Sequence, residues 1–176
     1  MATVNSIVPS AVTIVINHTG TNTNHVIGGY STDSTVSIEY PDDTWTEEVS
    51  VDGVTTRVHR LDRTVRATIS LAQGSRSNDV LSALMRQDER DLSGRGMFTC
   101  TITDKSGRSY YNSSQTFVKR PNTQEFGQAS NTRDWVLVLS WADQWIGGND
   151  LIDPDTQQTL ENLGITVDDQ WILGNR

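Results

Sequence analysis

The stretch RTVRATISLAQGSRSNDVLSALMRQDER, residues 63–90, decides the fold. Val65, Ala67, Ile69 and Leu71 alternate with Thr64, Arg66, Thr68 and Ser70, the period of a strand with one face in a core. A corner follows at Gly74, and beyond it Leu81, Leu84, Met85 and, less regularly, Leu92 recur at helical spacing. Ser75 or Ser77 is placed to cap that helix and Asp79 falls in its first turn, which predicts a helix over residues 77–91. Strand, glycine corner and helix N-terminus is also a layout that cradles phosphate. Here the rest of such a motif is missing, because Gly74 stands alone and no Gly-Lys-Ser/Thr follows it. The corner is therefore read as a bend that carries a sheet strand into a bracing helix.

Working outward, the same alternation recurs. AVTIVIN puts Val12, Ile14 and Ile16 on one face, and STVSIEY does so with Val36, Ile38 and Tyr40. These read as half-buried antiparallel strands whose other faces carry Thr and Ser rather than Lys and Glu. In WTEEVSVDGVTTRVHR, Asp52-Gly53 favours a two-residue hairpin. Counting outward from it sets Val51 against Val54, Val49 against Thr56 and Glu48 against Arg57, opposite charges across the ladder. DKSG at 104–107 reads as a second turn. RDWVLVLSWAD is apolar on both faces, with Trp135, Leu137, Leu139 and Trp141 on one side and Val136 and Val138 on the other, so a strand covered twice is expected. One of its covers is a candidate neighbouring subunit.

After Gly147-Gly148 the composition changes. DPDTQQTLENLG carries helix boundary marks in Asp153, Pro154 and Gly164, and strand-like ITV and QWIL follow. Two units are thus expected: a β domain over residues 1–148, and an extension over 149–176 that docks on the body or on a neighbour. Leu160, Leu163, Trp171, Ile172 and Leu173 of that extension join Trp135 and Trp141 as candidate subunit contacts, since so short a segment cannot cover them itself.

The chain has 176 residues, enough to bury roughly 70% of its unfolded surface. Its single cysteine, Cys100, alternates with Phe98 and Ile102 and reads as a core thiol, which suits a reducing cytoplasm. Neither a basic leader nor an apolar run of about 18 residues is evident, so no membrane association is expected. Asn17 and Asn112 open glycosylation-like triplets but read as ordinary asparagines without a leader. Fourteen Lys and Arg against 22 Asp and Glu give a net charge of -8, which argues against ordinary duplex binding. His18, His25 and His59 suggest no catalytic constellation. Asp150, Asp153 and Asp155 lack the central Gly and terminal Glu of a calcium loop, and Asp42-Asp43 and Asp168-Asp169 read as acidic loops. No cofactor, metal or enzymatic activity is expected.

Together, DRTVRATISLAQGSRSNDVLSALMRQDER, GRGMFTCTITDKSG, TFVKRPNTQEFGQ and NTRDWVLVLSWADQWIGGN resemble the tail tube proteins of contractile-tailed bacteriophages, over about residues 10–149. The resemblance implies a mainly β fold, an antiparallel sandwich or barrel with one principal α-helix, shared with the haemolysin-coregulated tube proteins of type VI secretion. It also implies hexameric rings that stack into a hollow tube in the virion tail, assembled in the host cytoplasm. Such a tube surrounds a tape-measure protein, conducts DNA only in passage during ejection, and meets sheath and baseplate or terminator proteins. Thr64, Thr68, Ser70, Thr99, Thr101 and Thr103 are the candidate lumen face, because hydroxyls hold phosphate less than Lys and Arg do. Two alternatives stay open: a head-tail joining or tube-terminator protein of the same fold, and a carbohydrate-binding β-sandwich that uses the five tryptophans as stacking faces.

Overall fold

The alternating runs fold as strands whose apolar members share one interior. A computed structural model describes residues 12–31, 36–121, 124 and 131–173. Its strands are β1 (Val12–His18), β2 (Thr23–Val26), β3 (Val36–Glu39), β4 (Trp45–Val49), β5 (Thr55–His59), β6 (Val65–Ala72), β7 (Phe98–Asp104), β8 (Tyr110–Lys119), β9 (Thr132–Ser140) and β10 (Asp143–Trp145). The principal helix is α1 (Ser77–Arg90), and a shorter α2 (Pro154–Asn162) lies in the extension. The fold is mainly β and antiparallel.

One sheet runs β2-β1-β7-β8-β9-β6-β3, with β10 also on β8. Its two margins are joined by the chain itself. Residues 27–31 leave β2 as an extended strap: Ile27 N–H donates to Ile14 in β1 at 2.9 Å, and Tyr30 then bridges Leu71 in β6. Ser31 N–H donates to Ser70 at 2.9 Å, and Ala72 N–H donates to Gly29 at 2.8 Å. The strap ties β1 to β6 and so joins the two margins of the sheet.

Inside lie Ile14 and Ile16 of β1, Ala67, Ile69 and Leu71 of β6, Phe98, Cys100 and Ile102 of β7, and Trp135, Leu137 and Leu139 of β9. Leu81 and Leu84 of α1 seal them. Each such side chain contributes about 1.5–3 kcal/mol on burial, which is why the alternation predicts the inner face so well. Burial also pushes the Cys100 thiol up to about 12.

The helix begins where expected, but neither serine caps it in the ordinary way. Arg76 occupies the cap position without a side-chain bond. Ser77 is 3% exposed, and its hydroxyl is taken up by Gly28 N–H at 3.1 Å and by the His25 ring at 2.9 Å. Ser75 instead accepts from Ser77 N–H at 3.2 Å and donates to the Gly28 carbonyl at 2.6 Å. Asn78 donates to the Ala72 carbonyl at 3.0 Å. The corner's polar groups thus hold the strap to the helix. Leu92 lies past the helix end and is 96% exposed, so it does not belong to the apolar stripe.

Beyond β10, α2 starts at the expected place: the Asp153 carboxylate accepts from Thr156 N–H at 2.7 Å, and Pro154 opens the helix. Gly164 follows with φ +80°. The ITV run is not a strand, and within QWIL only Ile172 pairs, in a parallel bridge to Ile152 after a 3-10 turn at Asp169–Trp171.

Candidate subunit-contact surfaces

The hairpin β4–β5 is a separate two-stranded sheet, and nearly all its residues are exposed. Its register differs by one residue from the sequence expectation. Glu48 faces Thr56, and the partner of Arg57 is Glu47. Ser50 N–H donates to Val54 and Gly53 N–H to Ser50, both at 2.9 Å, so the loop has three residues with Gly53 at φ +80°. A two-residue turn would need positive φ at Asp52 as well, whereas a three-residue loop needs it only at the glycine. Arg57 lies over the Trp45 ring at 4.2 Å and His59 packs on the same ring at 4.6 Å, which stiffens the base. The rest is uncovered: Val49 is 69% exposed, Val51 fully and Val54 57%.

The six candidate lumen residues divide into two groups. Thr99, Thr101 and Thr103 lie on the outer face of β7, whereas Thr68 and Ser70 belong to β6 and Thr64 immediately precedes it, with β8 and β9 between the two strands. Around the β7 group the outward partners in β1 and β8 are Thr13, Val15, Asn17, Tyr110 and Asn112, none of them charged, and the first charge on that face is Asp143 of β10, opposite Asn112. Thr101 donates to Asn112 at 3.0 Å. The β6 group sits among charges: Ser70 donates to Asp134 at 2.7 Å, and Arg66 is paired with Glu39 across the ladder. Thr64, just before β6, donates to Asp62 through its hydroxyl at 2.6 Å and its N–H at 2.9 Å, holding that carboxyl below the usual range.

The two tryptophans expected to share a face part company. Trp135 is 5% exposed and donates to Asn78 of α1 at 2.9 Å, so it is a core residue that locks β9 to the helix. Trp141 follows the end of β9 with φ +51° and is 63% exposed, because that backbone turn rotates it out of the strand's alternation.

In the extension, Arg108 is the fastening point. Its N–H donates to Gly148, its guanidinium to the Asp150 carbonyl, and the same group lies 5.2 Å from the Trp171 ring. Ile152 N–H donates to Trp171 at 2.8 Å and Leu173 N–H to Ile152 at 2.9 Å. Between α2 and the sheet runs a groove of about 710 Å³, with Trp145, Leu160, Ile165 and Trp171 in its walls. Leu160, Trp171 and Ile172 are half-buried, while Leu163 is 73% and Leu173 56% exposed.

Of the three histidines, His18 is 1% exposed, accepts from Thr21 N–H at 3.1 Å and bonds the Arg95 carbonyl at 2.7 Å, a structural tie across 77 residues of chain. His25 meets Ser77, and His59 stacks in the hairpin. Among the described residues no cluster of three His, Cys, Asp or Glu could hold a metal ion, and no helix is long and apolar enough to cross a membrane.

A sequence-family model described as Bacteriophage PhiTE tail tube protein matches residues 1–147. Structural protein ORF10 of Pseudomonas phage KPP10 is 43% identical over 164 residues, which is 93% of this chain and 95% of that protein. Among solved structures, the sheath/tube terminator (PVC) of an extracellular contractile injection system in its extended state aligns with a TM-score of 0.48 at 12% identity, covering 82% of this chain and 100% of that one.

Proposed function

The chain belongs to the bacteriophage PhiTE tail tube protein family, and from that premise we propose that it is a structural subunit whose copies form hexameric rings stacked into the hollow tube of a phage tail. The observation that carries this reading is the hairpin β4–β5. A lone two-stranded sheet is marginal in water, and contiguous exposed apolar residues mark a surface that meets another molecule. A polymer supplies that cover from a second copy. The subunit works through its surfaces and catalyses no reaction. Its further partners are a tape-measure protein inside the tube and sheath, baseplate or terminator proteins around and at the ends of it, with assembly in the host cytoplasm.

The channel wall in this reading is the outer face of β7 with Thr99, Thr101 and Thr103, and what supports it is the absence of charge across β1, β7 and the start of β8. DNA carries about one charge per 1.7 Å of axis, so a wall of hydroxyls and amides lets it pass without holding phosphate. Thr64, Thr68 and Ser70, set among Arg66, Glu39 and Asp134, then lie on a different side of the subunit. Lysine at Thr99, Thr101 and Thr103 together should leave assembly intact and slow DNA release, with the delay relieved by salt. Release at the normal rate would remove that assignment.

Negative-stain electron microscopy of the purified protein tests the main reading. Long hollow tubes are expected; isolated rings would favour a terminator role, and monomers at assembly concentrations would sink both.

A further inference from the structure

The antiparallel order gives the sheet two distinct poles. Strand β6 begins where β7 and β9 end and β8 starts, and this pole carries the hairpin, the turn at residues 104–107, β10 and the extension. At the other pole β6 ends, α1 packs, and β8 ends where β9 begins. Charge is divided unevenly between them. Residues 40–64, 104–109 and 141–173 at the first pole hold fourteen acidic and five basic residues, a net of -9. Residues 73–97, 119–121 and 131–133 at the second hold four acidic and seven basic, a net of +3.

At the basic pole, α1, the end of β8 and the start of β9 enclose a groove of about 370 Å³. Met85, Pro121 and Trp135 form its apolar part, Ser82 lies beside them, and Arg120 and Arg133 stand at its edge. Arg120 pairs with Glu89, both exposed, and Arg133 donates to Gln124 at 2.7 Å. Among the described residues no acidic side chain lines the groove itself. The larger groove under α2 lies at the acidic pole and has both Arg108 and Asp168 in its lining.

We propose that the hairpin tip of one copy seats in the basic-pole groove of the next, with Val51 and Val54 on Met85 and Pro121 and the Asp52 carboxylate beside Arg120 and Arg133. This deepens the tube reading and rests on it. Charge selects the seat: the hairpin carries Glu47, Glu48 and Asp52 against Arg57, so docking at the acidic pole would set a net-negative element against a net of -9, whereas the basic pole complements it. Contact between opposite poles is heterologous and leaves a free hairpin and a free groove at the two ends, so it propagates along an axis without closing on itself. A symmetric pair of acidic poles is disfavoured by the same charges. The occupant is another copy of this chain, and the seat gives the exposed valines the cover they lack.

Paired cysteines test the seat in the full chain. Val51→Cys and Ser82→Cys, oxidised after assembly, should give a ladder of covalent multimers on non-reducing gels, while Val51→Cys with Thr156→Cys should give none. Cys100 stays silent because it is fully buried and its thiol is pushed up to about 12. Charge reversal gives a second readout that needs no chemistry: Asp52→Arg or Arg120→Glu alone should raise the concentration needed for assembly about tenfold, and the two together should restore it to within about threefold. Tubes that form normally with no Val51–Ser82 cross-link and no loss from either reversal would overturn the seat and leave the tube reading standing. If the unmodified protein forms no tube, the tube reading fails, and the seat with it.

Discussion

Replacing Gly29 with alanine should be among the costliest small changes in the chain, although nothing in its neighbourhood looks like a core. Gly29 has φ +75°, and a Cβ built there would lie 2.8 Å from both Cβ and Oγ of Ser75 and 3.3 Å from its Cα. Holding an L-residue in the left-handed region costs about 1–2 kcal/mol. Pushing Ser75 aside breaks its bonds to the Gly28 carbonyl and from Ser77 N–H, each worth about 0.5–1.5 kcal/mol. The sum, about 2–5 kcal/mol, corresponds to a melting temperature lower by about 5–15 °C for a domain of this size. Gly74, the glycine that gives the strand-to-helix corner its phosphate-loop look, has open space within 4 Å and no positive φ. Gly74→Ala should therefore stay within about 0.5 kcal/mol of the parent. Thermal unfolding of both variants beside the parent, followed by circular dichroism, separates the two. Equal melting temperatures for the two variants, or a larger loss for Gly74→Ala, would refute the strap as the element that ties β1 to β6.

Other outcomes follow from the same geometry. A double-mutant cycle on Glu47 and Arg57 should return about 0.2–1 kcal/mol of coupling, and the same cycle on Glu48 and Arg57 less, as the observed register requires. The Thr156 N–H and hydroxyl hold the Asp153 carboxyl below the usual carboxylate range, so its support of α2 is complete above that range and is lost as pH falls through the lowered value. Amide exchange in α2 should accelerate on acidification in the parent, and Asp153→Asn should flatten that dependence. Truncation after Gly148 should leave a folded β body, because the core cluster takes no residue beyond Ala142, yet one that assembles poorly. Normal tubes from the truncated chain would show the extension to be dispensable.

How much of this was legible in the sequence depends on how local each signal is. Alternation at Val65, Ala67, Ile69 and Leu71 named an inner face correctly because burial is decided residue by residue. Asp153 and Pro154 marked the start of α2 for the same reason, since a cap needs only its own first turn. Asp52-Gly53 announced a hairpin but fits loops of two or three residues, and one residue of difference moves Arg57 from Glu48 to Glu47. The tryptophans misled because alternation says nothing of where a strand stops: one positive φ at Trp141 removes it from the face it shares with Trp135 in the pattern. The candidate lumen set mixed two strands that the chain visits on either side of α1, and only the strand order separates them. The strap was hidden most completely, since VIGGYS shows no period and its pairing to β1 and β6 is entirely non-local.

The pairing of β6 with β9 also sets a schedule for synthesis. Val65–Ala72 is in place long before Thr132–Ser140 emerges, so its inner face waits about 3–12 seconds at 5–20 residues per second for the strand that covers it. Until then the nascent chain has a hairpin and a helix but no closed wall. A chain that ends before β9 therefore lacks the strand that joins β8 to β6, and the wall is left open between them.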